Sequence, residues 1–186
     1  MNAFARFASA LAGTLLAVVA LADDDPVLVG RVTKVHDGDT INVALTSGPI
    51  RVRLDGIDAP ELKMTAGEAS REELSRLVSG KEVALEVQTQ DRYGRLVAVV
   101  FVGAMNVNAR MVEDGHAWAY RQYLRTETRY LCELENDARS RRRGLWSMDA
   151  WVYPPEWRKA QRAPGVAFTS FRQETSKACL AAVGTR

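Results

Sequence analysis

An α+β fold dominated by a small closed barrel is what the sequence predicts, and three observations predict it. Three segments of alternating polarity come first, a helical pattern with a glycine stop follows, and two further strand patterns come after that. Two more helical patterns then precede an aromatic-rich tail. Three strands, a helix and two strands is the order that a five-stranded barrel of OB type needs, with about three helices packed on its outside. A chain of 186 residues is long enough for one such domain with its own core plus an appendage. The formal net charge of +2 argues neither for nor against a nucleic-acid partner.

The first 22 residues stand apart from that domain. Arg6 gives a positive start, Ala8 to Ala20 carries no charge, and Ala20-Leu21-Ala22 is a small-x-small cleavage signal before Asp23-Asp24-Asp25. This pattern reads as an export signal, and the apolar run is short for its rival, an uncleaved membrane anchor. The expected organisation is a signal peptide over 1–22, a folded domain over 23–147 and a C-terminal extension over 148–186. The processed chain is expected to be periplasmic or secreted, monomeric and without stable membrane association. Export permits a disulfide, and Cys132 and Cys179 are expected to form one. Neither sits in a C-x-x-C spacing, which argues against metal ligation by the pair.

In chain order, Val27–Val35 is valine-rich and ends at the Asp37-Gly38 turn signal. Thr40–Thr46 alternates, with Ile41, Val43 and Leu45 on one face. After the Ser47-Gly48-Pro49 turn, Ile50, Val52 and Leu54 share one face while Arg51, Arg53 and Asp55 share the other. Strict alternation would next bury Gly56 and expose Ile57, so a bulge or strand end is expected at Gly56. Ala66–Ser79 places Leu74, Leu77 and Val78 at helical spacing, with Gly80 as the stop. Glu82–Gln88 alternates again, and Leu96–Val102 is apolar enough to be covered on both faces. Asn106–Glu113 is expected as a short helix stopped by Gly115. Thr126–Arg143 is expected as a longer one, with Tyr130, Leu131, Leu134 and Ala138 as its buried stripe. Past Trp146 the pattern weakens, and that tail reads as an appendage.

Several chemistries are excluded at once. The chain has no G-x-S-x-G elbow, no Walker loop, no H-E-x-x-H and no Rossmann glycine fingerprint. His36 and His116 lie far apart, and each is expected to be structural. Carboxylates remain: Asp37, Asp39, Asp55, Asp58 and Glu61. Asp39 lies in a turn entering the second strand and Asp58 just past the third, so pairing of those strands brings both to one rim. Two carboxylates with a carbonyl and waters is hard-cation chemistry of the Ca2+ or Mg2+ kind. D-G-D-T is equally a common way to turn and start a strand. Arg53 and Arg95 shift the balance, because guanidinium forks match phosphate oxygens and stay charged at physiological pH. Taken singly, each arginine reads as a solvated side chain. Taken together, an ion, two forks and a carboxylate form a set able to attack a phosphodiester, with Glu61 to orient or deprotonate the water.

D-G-D-T at Asp37–Thr40, R-L-D-G-I-D-A-P-E at Arg53–Glu61, D-R-Y-G-R at Asp91–Arg95 and V-N-A-R-M-V-E-D-G at Val107–Gly115 occur in that order. The series resembles the motifs of the staphylococcal (thermo)nuclease family from about Val29 to Trp146, with G-L-W-S at Gly144–Ser147 closing it. The resemblance implies an OB-fold barrel, Ca2+ dependence and hydrolysis of DNA, with RNA as a second candidate, to products bearing a 3′-phosphate. By position, Asp39 and Asp58 match the calcium carboxylates and Ala59 the residue whose carbonyl meets the ion. Arg53, Glu61 and Arg95 match the catalytic trio, Tyr93 and Tyr123 match pocket tyrosines, and Asp37 matches a carboxylate supporting the site from behind. There are departures. Ala59 replaces a threonine, the segment after Glu61 is shorter, and a second pocket-tyrosine position falls on Arg121. A non-catalytic OB module that binds nucleic acid or protein is the rival, and the retained Glu61 argues against it.

Overall fold

The computed structural model of the chain describes residues 27–149, 151–162 and 176–182. The export signal expected over 1–22 lies outside the described residues. Strands β1 (Leu28–Val35), β2 (Thr40–Leu45) and β3 (Gly48–Leu54) form an antiparallel meander. The two-residue strand β4 (Ile57–Asp58) and helix α1 (Gly67–Val78) follow. Strand β5 (Glu82–Gln90) pairs antiparallel with β1 and with β6 (Leu96–Val102). A parallel pairing of β6 with β3, from Val52↔Leu96 to Leu54↔Ala98, closes the barrel. The expected five strands and their closure are therefore found.

Beyond the barrel come β7 (Met105–Asn106), α2 (Val107–Glu113) and β8 (Trp118–Ala119), which pairs with β4. Helices α3 (Tyr130–Ser140), α4 (Pro154–Arg162) and α5 (Ser176–Ala182) complete the described chain. Alternation places Ile41, Val43, Val52, Leu85 and Val100 wholly inside, where Leu74 and Val78 of α1 and Met111 of α2 join them. Each such side chain contributes roughly 1.5–3 kcal/mol by leaving water.

The break expected at Gly56 is present. β3 ends at Leu54, Gly56 takes φ +71°, and Ile57 is fully buried at the start of β4. A positive φ suits glycine because it has no Cβ to clash. Buried Asn108 staples this break to the barrel: its amide donates to the carbonyls of Asp55 and Ala98, and its oxygen accepts from the Val100 N–H.

Two expectations change. The third helix begins at Tyr130, because Thr126–Thr128 forms a 3₁₀ turn in which Thr128 Oγ1 accepts from the Arg125 N–H at 2.8 Å. Its buried face is Leu131, Cys132, Glu135 and Ala138, while Tyr130 is exposed. The apolar stripe was misplaced because a carboxylate, neutralised by arginines, takes a core position. In β6 only Ala98 and Val100 are fully buried; the outward residues are half-covered, since the helices do not blanket that side. The described parts of the tail pack on the domain. Trp151 and Tyr153 join Trp118 and Trp146 in a second core, and a Cys132–Cys179 disulfide ties α5 to α3.

Candidate active site at the barrel rim

The closed barrel delivers Asp39, Arg53 and Asp58 to one rim. Thr40 pairs with Arg53 across β2 and β3, so Asp39 enters beside the arginine. Gly38 permits the approach: a Cβ there would lie 1.9 Å from Ser70 Oγ of α1 and 2.7 Å from Ala59. The glycine of D-G-D-T is thus fixed by packing as well as by turning. The Gly56 break then swings Asp58 back toward Arg53, despite their odd spacing.

One guanidinium joins the two carboxylates. Arg53 Nη1 pairs with Asp39 Oδ1, and Nη2 donates to Asp58 Oδ1 at 2.8 Å. Asp39 is held further by the Thr40 hydroxyl on Oδ1 and by the Ala59 N–H on Oδ2, at 2.9 Å each. Asp37 acts behind it, accepting the Asp39 N–H on Oδ1 at 3.1 Å. Asp39 is 3% exposed and Asp58 is 0% exposed, so both have exchanged hydration for these partners.

A second guanidinium arrives from the tail. Arg158 on α4 donates from Nη2 to Asp58 Oδ2 at 2.7 Å, and from Nη1 to Asp58 Oδ1 at 3.2 Å and Glu61 Oε1 at 2.8 Å. Burial works against its charge, but the Asp58 carboxylate, aided by Glu61, more than compensates and raises its pKa above the usual arginine value. The Tyr120 ring lies 5.9 Å from the guanidinium carbons of both Arg53 and Arg158. Burial first, and the Asp58 charge second, hold the Tyr120 hydroxyl protonated to higher pH than normal.

Arg95 is placed differently. It lies just ahead of β6, two positions before Val97, the residue that pairs with Arg53. Its Nε donates to Asp91 Oδ2 at 2.7 Å and its guanidinium carbon lies 5.7 Å from the Tyr93 ring. The side chain thus rests on its own turn, beside an open cavity of about 570 Å3 that Asn42, Arg51 and Tyr93 also line. Tyr93 and Tyr123 are both well exposed, and Tyr123 packs on Tyr120 with ring centroids 4.8 Å apart. Asp39, Arg53, Asp58 and Glu61 are therefore brought together, while Arg95 and Tyr93 stand on the turn ahead of β6.

At the position read as a second pocket tyrosine stands Arg121, and its neighbour Tyr120 is the ring beside Arg53 and Arg158. Arg121 turns inward instead and donates to buried Glu135, from Nη2 to Oε1 at 2.7 Å. Tyr120 directly follows β8, so the β4–β8 pairing was the signal that could have placed it. Arg158 lies 100 residues from Asp58 in sequence, and no local pattern announces it.

Among the described residues, no cluster of three or more His, Cys, Asp or Glu side chains is gathered tightly enough to cage a metal ion. The chemistry of the donors still fits a hard cation: two buried carboxylates share one guanidinium, and the Ala59 backbone lies against Asp39 through its N–H. Ca2+ accepts such oxygens and completes its shell with water. Arg158 already stands against Asp58 as a positive charge.

A family model described as staphylococcal nuclease homologue matches residues 51–148. That span contains Arg53, Asp58, Glu61 and Arg95, and leaves Asp39 and Arg158 outside. The chain is 40% identical over 166 residues to protein ParB of Escherichia coli, covering 84% of this chain and 92% of that one. It is 39% identical over 142 residues to a micrococcal nuclease of Shigella flexneri, covering 72% and 82%. It is 46% identical over 127 residues to an uncharacterized endonuclease of Escherichia coli O157:H7, covering 68% and 81%.

Proposed function

The chain belongs to the staphylococcal nuclease family and is a nuclease that hydrolyses phosphodiester bonds, and from that premise we propose an exported, calcium-dependent enzyme that cleaves DNA with little sequence choice and takes RNA as a second substrate. The observation that carries this reading is the Arg53 guanidinium shared between Asp39 and Asp58, with Glu61 joined to Asp58 through Arg158. A cation, hard oxygen donors and a candidate base all meet where a phosphate would lie.

Asp39, Asp58 and the Ala59 carbonyl would hold the ion. When bound, Ca2+ polarises the phosphoryl group and offsets its charge. Glu61 orients the attacking water or takes its proton. Arg53 and Arg95 offset the charge that grows on the phosphoryl oxygens, and Arg95 reaches them by exchanging Asp91 for the substrate. Water attacks phosphorus and the P–O5′ bond breaks, so the phosphate stays on the 3′ oxygen and the 5′ oxygen takes up a proton and leaves as a hydroxyl. Tyr93 and Tyr123 present exposed rings beside the arginines, as faces for bases or sugars.

Export is supported by the uncharged run before Ala20-Leu21-Ala22 and by the Cys132–Cys179 disulfide, which suits an oxidising compartment. The mass of the mature chain, beginning near Asp23, checks that part. Breakdown of DNA and of RNA, measured with Ca2+ and again with chelator, checks the chemistry. Cleavage is expected with Ca2+ only. DNA bound but uncut under both conditions would return the chain to a binding module.

A further inference from the structure

We propose that Arg158 sets the cation affinity of this site: it holds Asp58 and Glu61 as a resident counter-charge, and a divalent cation binds by displacing it. The proposal rests on the calcium-dependent reading above and adds a residue from the tail, beyond the span matched by the family model.

Occupancy at Asp58 is the first reason. Oδ1 accepts from both Arg53, at 2.8 Å, and Arg158, at 3.2 Å, while Oδ2 accepts from Arg158 at 2.7 Å. Both oxygens are engaged by guanidinium N–H groups on a carboxylate with no exposed surface. A cation that takes Asp58 as a ligand needs one of those oxygens, and Arg158 is the donor that uses both.

Charge is the second reason. Asp39, Asp58 and Glu61 bring three negative charges, and Arg53 with Arg158 brings two positive ones. Adding a divalent cation beside both arginines would overshoot to a positive site. Exchanging Arg158 for the cation balances it. Asp39 and Asp58 are themselves buried, so they feel that difference more than surface carboxylates would.

Mechanical independence is the third. α4 is seated by groups other than Arg158: Tyr153 and Trp151 pack in the second core, and Ala160 is buried. The Tyr153 hydroxyl also accepts the Arg121 N–H at 3.3 Å. The guanidinium can therefore leave by side-chain rotation alone, with the helix still docked. Competition and affinity are reciprocal, so whatever strengthens the Arg158 contact weakens the cation by the same factor.

The test is calorimetric titration of the metal-free full chain with CaCl2, comparing the unaltered protein with Arg158→Gln, Arg158→Lys and Lys159→Ala. Arg158→Gln is expected to bind Ca2+ on the order of tenfold more tightly. Arg158→Lys, which keeps the charge but loses the fork, tightens by a smaller factor, and exposed Lys159→Ala leaves affinity unchanged. Without Ca2+ the Arg158→Gln protein melts lower, and its Tm rises further on Ca2+ addition than that of the unaltered chain. Equal or weaker Ca2+ binding in Arg158→Gln overturns the proposal while leaving the nuclease reading intact. If that variant fails to fold, unchanged affinity in Arg158→Lys overturns it instead. Absence of Ca2+ binding in every protein overturns both.

Discussion

Asp58 and Glu135 are alike in having no exposed surface and in being gripped by two arginines each, and they differ in what stands around the arginines. At Glu135 the arginines are backed by aromatic rings, and their side chains are 8% and 15% exposed. Arg121 lies 5.3 Å from the Tyr153 ring, and Arg139 lies 4.0 Å from Trp146 and 4.7 Å from Trp151. The Ala119 N–H adds a backbone donor at 2.9 Å. At Asp58 both arginines share one tyrosine, and their side chains remain 15% and 26% exposed. Two guanidiniums on one buried carboxylate therefore serve two ends. A buried carboxylate whose arginines are both walled by aromatic rings holds the fold together, whereas Asp58, whose Arg158 is 26% exposed and also holds Glu61, can exchange that counter-charge for an ion.

The largest expected effect falls on the Asp58 site. Arg53→Ala should lower turnover by about 10²–10³-fold while circular dichroism stays that of the folded chain. A variant that instead loses its fold with its activity would break the contrast. The Glu135 site should answer the other way. Glu135→Gln leaves two guanidiniums short of their counter-charge and should cost about 3–5 kcal/mol in urea unfolding, with turnover per folded molecule unchanged. Loss of activity without loss of stability there would reverse the assignment.

Next in size is the disulfide beside the Glu135 site. Cys132→Ser combined with Cys179→Ser frees a loop of 47 residues' separation and should lower stability by about 2–4 kcal/mol. Equal urea midpoints for the bridged and unbridged proteins would count against that. The smallest effect concerns His116, where burial lowers the imidazole pKa more than Glu73 and Asp114 raise it. The unfolded chain takes up this proton near pH 6.5 and the folded chain only at lower pH. In the window below 6.5 the unfolded state thus binds more protons, and stability falls as pH falls. His116→Gln should flatten that slope in Tm; an unaltered slope would assign it to other groups.

The barrel was legible because one buried face forces a period of two, and Gly56 was legible because that period fails there. Asp39, Arg53, Asp58 and Glu61 were legible as short runs whose spacing matches a known motif series. Other parts needed the third dimension. Tyr120 and Arg121 are neighbours, and in an extended segment one position decides which face a side chain takes. Glu135 occupies a core slot on α3 that apolar counting assigns elsewhere, since its acceptability depends on arginines from other segments. His116 sits at the end of α2, where a cation would be favoured by the helix, yet its desolvation decides the outcome. Arg158 meets Asp58 only because the tail folds back, a long-range contact that leaves no local trace.

The Cys132–Cys179 bridge bears on that last contact as a tether. Arg158 lies inside the covalent ring that the bridge closes, with α3 at one end and α5 at the other. A single backbone cut anywhere in that ring leaves both pieces on one molecule. The guanidinium then still meets Asp58 at an effective concentration set by chain length, independent of how dilute the protein is. Reduction converts the ring into a free end, and only then does a cut between Cys132 and Arg158 release the counter-charge from its carboxylate for good.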